Sequence, residues 1–362
     1  MVQPTAHIHA IGTAVPGHDI HQAFVSWAET RLVDPRERAL FSRMVSRSGI
    51  EHRWSVLPRS ANGGSPVEPG GFYDGGRLPS TGTRMALYAE KAPQLAMAAI
   101  EGLGERVPID PITHLVVASC TGFVAPGIDQ ILINRLGLGP SVERTLVGFM
   151  GCYAAVAALR VAHHIARSDS SARILVVTVE LSSLHLTNRQ DIESLLAALQ
   201  FGDGAAAALV CAEPGGLALE DFFCATLPDS RELIQWTIGD TGFEMVLSGK
   251  VPGRIAEGLC DPELRGSILR GRSPRERAWA VHAGGRSILD VVENALDLPR
   301  EAMAPSRSVL ARFGNMSSAT LMFVLAELLR KPAPFDGTAL AFGPGLAAEG
   351  FGFSRRCAGM SH

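Results

Sequence analysis

Residues 148–180 read GFMGCYAAVAALRVAHHIARSDSSARILVVTVE, and they decide the fold class. The run Cys152 to Ala166 is rich in Ala and Leu, which are strong helix formers. Ile174 to Glu180 (ILVVTVE) is a short β-branched run of the kind found in strands buried on both faces. The same two signals recur along the chain. His114 to Ser119 (HLVVAS), Ala205 to Ala212, Trp279 to His282 (WAVH) and Thr338 to Phe342 (TALAF) read as strands. Gly127 to Leu136 and Ser317 to Arg330 read as helices, the latter with Leu321, Val324, Leu325 and Leu328 apolar. Strands alternating with helices predict an α/β fold with largely buried sheets.

The chain has 362 residues, 46% hydrophobic and 19% charged, enough for a large core and for two domains or one fused fold. Ser60 to Gly82 is rich in Gly, Pro and Ser and reads as a surface loop. A milder break at Glu213-Pro214-Gly215-Gly216 divides the chain into residues 1–212 and 213–362, both with strand–helix alternation. A net charge of −3 gives no global field for nucleic acid or anionic lipid. Arg31, Arg36, Arg38, Arg43, Arg47 and Arg53 form a local basic stretch, whose plain reading is a solvated helix face. The N-terminus carries no secretory pattern and no apolar run approaches the length of a membrane span. A cytoplasmic protein is expected. Six cysteines, at 120, 152, 211, 224, 260 and 357, show no C-x-x-C spacing, so most are expected to be small buried residues.

Cys152 is the exception to argue for. Gly151 before it permits a tight turn, and the helical run after it places the sulfur at or near a helix N-terminus. Exposed amides there favour thiolate over thiol, and a thiolate is what thioester exchange needs. Taken alone, a buried small residue explains Cys152 as well. His282 follows Trp279-Ala280-Val281 and precedes Ala283-Gly284-Gly285, which sets its imidazole at a strand tip. Asn315, in Gly314-Asn315-Met316-Ser317-Ser318, stands just before a helix, where an N-cap or a turn residue is the bland alternative. Together, Cys with separate His and Asn is a set for acyl transfer. His can pair with the thiolate, and His and Asn can donate to an oxyanion. Spacing alone leaves a cysteine hydrolase open. The chain has no H-E-x-x-H, no P-loop and no G-x-S-x-G, and its G-x-G at Gly202 precedes a strand instead of following one.

These pieces resemble the type III polyketide synthases of the chalcone synthase kind. Gly151-Cys152, Phe201-Gly202-Asp203-Gly204, Val251-Pro252-Gly253, His282-Ala283-Gly284-Gly285, Gly314-Asn315-Met316-Ser317-Ser318 and Phe342-Gly343-Pro344-Gly345 occur in that family's order, from about Ile8 to Phe353. The resemblance implies a thiolase fold, two similar halves giving a five-layered α–β–α–β–α core, and a homodimer. It implies that Cys152 carries the acyl group and that His282 and Asn315 polarise the malonyl thioester. It makes Phe201 and Phe243 the gatekeepers between the CoA tunnel and the cavity, and Arg43 and Arg47 the partners of CoA phosphates, which suits a guanidinium fork. Ser317 and His185 fall among the cavity residues. The substrates implied are malonyl-CoA and an acyl-CoA starter, with no metal or redox cofactor and with an acyl carrier protein as an alternative starter donor.

Some positions depart from the plant pattern. Cys120 stands where threonine is usual, Ala125 where a methionine often reaches into the partner's site, and the stretch around His185 is two residues shorter. These favour a bacterial-type enzyme making a pyrone, resorcinol or phloroglucinol product over a chalcone. Two other readings are a ketoacyl-ACP synthase III-like enzyme, with the same Cys-His-Asn set, and a non-catalytic acyl-binding partner subunit, which loss of one of the three would have favoured.

Overall fold

A computed structural model describes residues 4–74, 78–189, 191–332 and 334–356. Cys357 lies outside them. The opening stretch folds as a helix over Ala154–Ser168 followed by a strand over Arg173–Leu181. The strands in chain order are β1 (Ala6–Ala14), β2 (His18–Asp19), β3 (Trp54–Ser55), β4 (His114–Ser119), β5 (Glu143–Gly148), β6 (Arg173–Leu181) and β7 (Asp203–Cys211). They continue as β8 (Leu217–Thr226), β9 (Ile234–Gly239), β10 (Gly242–Leu247), β11 (Ala278–Val281), β12 (Phe335–Gly343) and β13 (Ala347–Arg355).

Nine strands form one sheet in the order β11-β12-β13-β8-β1-β7-β6-β4-β5. β1 joins its two arms by pairing antiparallel with both β7 and β8. β7 is buried at every residue, as a strand covered on both faces must be. Two helices lie between the arms, Ala154–Ser168 and Ser318–Leu329. One core contains both helices together with Val116, Ile174 and Ala208 of one arm and Ala280, Ala339 and Phe351 of the other. Ala154, Ala155, Ala158, Ala162 and Ala166 are all buried, and their small side chains let the sheet approach the helix axis. Ser318–Leu329 is buried around nearly its whole circumference, which only a central layer allows. The outer faces are covered by the helix Thr81–Gly104 on one arm and by Val251–Cys260 and Arg286–Ala295 on the other. The result is helix, sheet, helix, sheet, helix, a thiolase-like fold.

The strands read from β-branched runs are present within a few residues, whereas β1, β5, β8, β9, β10 and β13 were not anticipated. Two expectations about side chains change. Arg53 is not part of a solvated face: it is 1% exposed, and its Nη1 donates to the carbonyls of Ala198 (2.8 Å) and Phe201 (3.0 Å). Of the described cysteines, Cys120 and Cys211 are buried but Cys224 and Cys260 are exposed. Among the described residues no helix is long and apolar enough to cross a membrane.

Candidate active site

Cys152 occupies the turn between β5 and the helix Ala154–Ser168, which begins two residues later than the Cys152 start read from the sequence. Gly151 has φ +81°, and a Cβ there would come within 2.3 Å of Pro344 Cδ, so the turn requires glycine. His282 follows β11 directly, with its N–H bonded to Leu340 O at 2.8 Å. Asn315 is held by a parallel bridge to Phe201: its N–H donates to Gln200 O (2.8 Å) and its carbonyl accepts from Gly202 N (3.0 Å). The Asn315 amide is pinned as well. Oδ1 accepts from Ser317 N at 2.8 Å and Nδ2 donates to Gly284 O at 3.2 Å. Cys152, His282 and Asn315 line one cavity, with Cys120, Ser317 and Phe201 in the same wall.

The electrostatics differ from the simple helix-end expectation. Burial pushes the Cys152 thiol up to about 12, and the nearby Glu180 carboxylate pushes the same way. Hydrogen bonds from Ser317 and Asn315 favour the thiolate without overcoming the desolvation. Burial also lowers His282 to about 4, and neither of its ring nitrogens has a partner among the described residues. Neither group charges alone in this apolar setting. His282 is the single basic side chain of the described cavity wall, and an uncharged thiol needs a base to lose its proton. At pH 7, His282→Ala is therefore expected to slow iodoacetamide labelling of Cys152 by about 100-fold. Peptide mass spectrometry separates this cysteine from the exposed Cys224 and Cys260. An unchanged rate would show that the helix end alone makes the thiolate.

A buried network lies behind the sulfur, in which Cys120 and Ser317 were expected cavity residues and Glu180, with Thr121 and Ser318, was not. Ser317 Oγ lies 3.7 Å from Cys152 Sγ and 3.1 Å from Cys120 Sγ. Glu180, fully buried at the end of β6, accepts from Cys120 N (3.0 Å), Thr121 Oγ1 (2.8 Å) and Ser318 Oγ. Burial raises its carboxyl above the usual range, and hydrogen bonds from Ser318, Cys120 and Thr121 oppose this. The charged residue closing an apolar strand was the available signal. Ser317 has φ +48°, a conformation that costs a non-glycine residue about 1–3 kcal/mol and is held by the bond to Asn315.

Two expected site residues take other places. Phe243 stands behind the cavity wall, 1% exposed and stacked on His185 at 4.2 Å. Met245, two residues on and on the same face of β10, is in the wall instead. His185 lines a neighbouring cavity, but both its nitrogens are engaged: Nε2–H donates to Thr121 O (2.7 Å), and Nδ1 accepts from Phe243 N (3.0 Å). Burial lowers it to about 3, so it serves as a neutral clamp. Arg43 and Arg47 lie on the exposed face of the helix Pro35–Ser48 and form no ion pair among the described residues. The Arg47 carbonyl accepts from Arg286, four residues after His282. Ala125 lies in the loop after β4.

Fold and site together define a condensing acyltransferase of the thiolase-fold class. The family is narrower. The model of the chalcone and stilbene synthase N-terminal domain matches residues 2–214, and that of the C-terminal domain matches residues 219–354. The chain therefore belongs to the chalcone and stilbene synthase family and is a type III polyketide synthase. It is 33% identical to the alpha-pyrone synthesis polyketide synthase-like Pks18 of Mycobacterium tuberculosis, over 96% of this chain and 91% of that protein. It is 33% identical to bisdemethoxycurcumin synthase of Oryza sativa subsp. japonica, over 95% and 91%. Among solved structures, it superposes on the type III polyketide synthase domain of Steely1 from Dictyostelium with a TM-score of 0.89 at 26% identity, covering 98% of this chain and 100% of that one. PKS-I from the brown alga Ectocarpus siliculosus gives 0.86 at 30% identity, covering 98% and 99%.

Proposed function

We propose that Cys152, His282 and Asn315 carry out the condensation. The observation that carries this is their convergence on one cavity from separate parts of the chain. Residues 1–212 and 213–362 then act as two thiolase-like halves, the first supplying the nucleophile and the second the histidine and asparagine. His282 takes the Cys152 proton, the sulfur attacks an acyl-CoA carbonyl, and CoA leaves as its thiol with that proton. Malonyl-CoA next binds with its thioester oxygen toward His282 and Asn315. Loss of carbon dioxide leaves an enolate whose oxygen these two groups stabilise. The enolate carbon attacks the Cys152 thioester, a carbon–carbon bond forms, and the sulfur leaves as thiolate. Departure of carbon dioxide drives the step, so the CoA thioesters are the only small molecules the reaction calls for.

Phe201 and Met245 form the constriction proposed between CoA and the cavity, and Arg43 and Arg47 are proposed to face the CoA phosphates. A pyrone is the product favoured, on the likeness to Pks18, with resorcinol or phloroglucinol products as the other outcomes of the test. That test is incubation of the enzyme with malonyl-CoA and a panel of acyl-CoA and acyl carrier protein starters, with products identified by mass. Free acid without consumption of malonyl-CoA would overturn the reading. The cytoplasm, where CoA thioesters are made and used, is the proposed compartment.

We also propose a homodimer. β5 is a sheet edge with little cover, and Leu146 on it is 48% exposed and Phe123 beside it 43%. An uncovered apolar edge is a template for pairing with a second copy. Leu146→Lys is expected to shift the protein from dimer to monomer mass in size-exclusion chromatography with light scattering. A dimer of unchanged stability on dilution would place the interface elsewhere.

A further inference from the structure

The helix Pro35–Ser48 buries one residue, Phe41, in a cluster with Phe24, Ala28, Leu32 and Leu195. Its opposite face is exposed. Arg36, Leu40, Arg43 and Arg47 recur there at steps of four, three and four, with Met44 at the margin. Leu40 is 39% exposed, Met44 42%, and Val33, two residues before the helix, 86%. The three guanidinium groups form no ion pair among the described residues. The acids nearby are placed elsewhere. Asp34 caps the helix through Arg36 N (2.8 Å), Glu29 accepts from Ser42 Oγ (2.7 Å), and Glu37 is half-buried on the Phe41 side. A chain of net charge −3 therefore carries a patch of three unneutralised positive charges around an apolar centre.

The C-terminal end of this helix is joined to the frame of the catalytic site. Arg286 Nη1 donates to Arg47 O at 3.1 Å, and Arg286 stands between Gly284 and Ile288 of the wall around Cys152. Glu51 N and His52 N, just past the helix, donate to Ala311 O (2.8 and 3.0 Å), on the helix Ala304–Phe313 that leads to Asn315. Arg36 lies about 16 Å farther out along the helix axis than Arg47.

The arrangement of charge and apolar surface selects the occupant. A helix that lies in a lipid surface sends its apolar face into the acyl chains and keeps its basic residues on the other, polar face. Here Leu40 and the arginines share one face. That pattern fits a protein helix with carboxylates around an apolar residue, since Arg beside apolar anchors is the usual composition of a protein interface. The phosphates of CoA engage Arg43 and Arg47 and leave Arg36, Leu40 and Val33 uncovered. A protein docked on this face sits outside the cavity, so its acyl group reaches Cys152 only on a flexible arm. Phosphopantetheine is such an arm, is the same chemical unit as the pantetheine part of CoA, and brings one phosphate to Arg43 and Arg47.

We propose that this face, through Val33, Arg36 and Leu40, is the docking surface for an acyl carrier protein, an acidic helical protein that delivers the starter. The inference rests on the reading that Cys152 is loaded from a thioester. In the step, the Cys152 sulfur takes the acyl group and the phosphopantetheine thiol leaves with the proton that the sulfur gave up. CoA and the carrier protein are then alternative donors that share Arg43 and Arg47 and differ at Arg36 and Leu40.

The test takes the acyl group that the acyl-CoA panel selects and presents it on CoA and on an acyl carrier protein of bacterial fatty acid synthesis. Loading of Cys152 is followed by intact-protein mass spectrometry in the wild type, Arg36→Glu and Leu40→Glu. Both substitutions are at exposed positions of different chemistry, so a folding failure of one leaves the other. The wild type is expected to load from both donors. In each folded variant kcat/KM from the carrier protein is expected to fall at least about ten-fold, the effect of about 1.4 kcal/mol lost at an interface, with kcat/KM from CoA within about two-fold of wild type. No loading from the carrier protein, a carrier rate unmoved in both variants, or an equal fall for both donors overturns the docking surface. So does co-sedimentation of the wild type with phosphatidylglycerol vesicles that both variants lose, which would assign the face to a membrane. Absence of loading from either donor would instead overturn the reaction proposed for Cys152.

Discussion

Cys152→Ala is expected to abolish polyketide formation, by roughly 10⁴-fold or more, because the growing chain loses its covalent anchor. Intact-protein mass spectrometry should show no starter adduct, and product analysis no condensation product. Malonyl-CoA decarboxylation should persist in the same variant, since His282 and Asn315, the proposed holders of the enolate oxygen, remain. Cys120 is no substitute, although Ser317 links the two sulfurs. Cys120 is buried against Glu180, and burial together with that carboxylate holds its thiol well above the ordinary range. Condensation at the wild-type rate in Cys152→Ala would remove the central claim.

Asn315→Ala is expected to lower malonyl-CoA decarboxylation by about 10²–10³-fold, the usual cost of losing one oxyanion donor. Starter loading should fall much less, because the sulfur and His282, its proposed proton acceptor, stay in place. The alanine also removes the acceptor that holds Ser317 N at positive φ. Asn315→Asp separates the two roles: it keeps an oxygen for Ser317 N and gives up the amide donor. If the donor matters, Asp and Ala are equally poor in decarboxylation. If only the support of Ser317 matters, Asp restores the rate. Equal losses in loading and decarboxylation would make Asn315 a structural residue.

Much of the fold was legible because its signals are local. Strands covered on both faces read as unbroken apolar runs, and Ile174 to Glu180 or Ala205 to Cys211 required no partner to be recognised. β8, β9, β10 and β13 escaped because they are partly exposed or rich in glycine, and their apolar content does not stand out from the surrounding loops. Gatekeeping was read onto Phe243 because it is aromatic and lies near Val251-Pro252-Gly253. Which residue of a hairpin face reaches a cavity depends on how the hairpin docks, and here that is Met245. Trp236 was invisible for the same reason.

The sequence by itself determined the α/β layout, the choice of Cys152, His282 and Asn315 as candidates and the order of motifs that marks the family. Those properties reside in residue type, spacing and order along the chain. The tertiary structure alone decided that burial opposes charge at Cys152, that Arg53 and Glu180 are buried, and that Ser182, Phe201, Trp236 and Met245 stand between two cavities. Each of these depends on how much water is removed and on which distant segments meet, and a buried thiol is raised by desolvation whatever helix follows it.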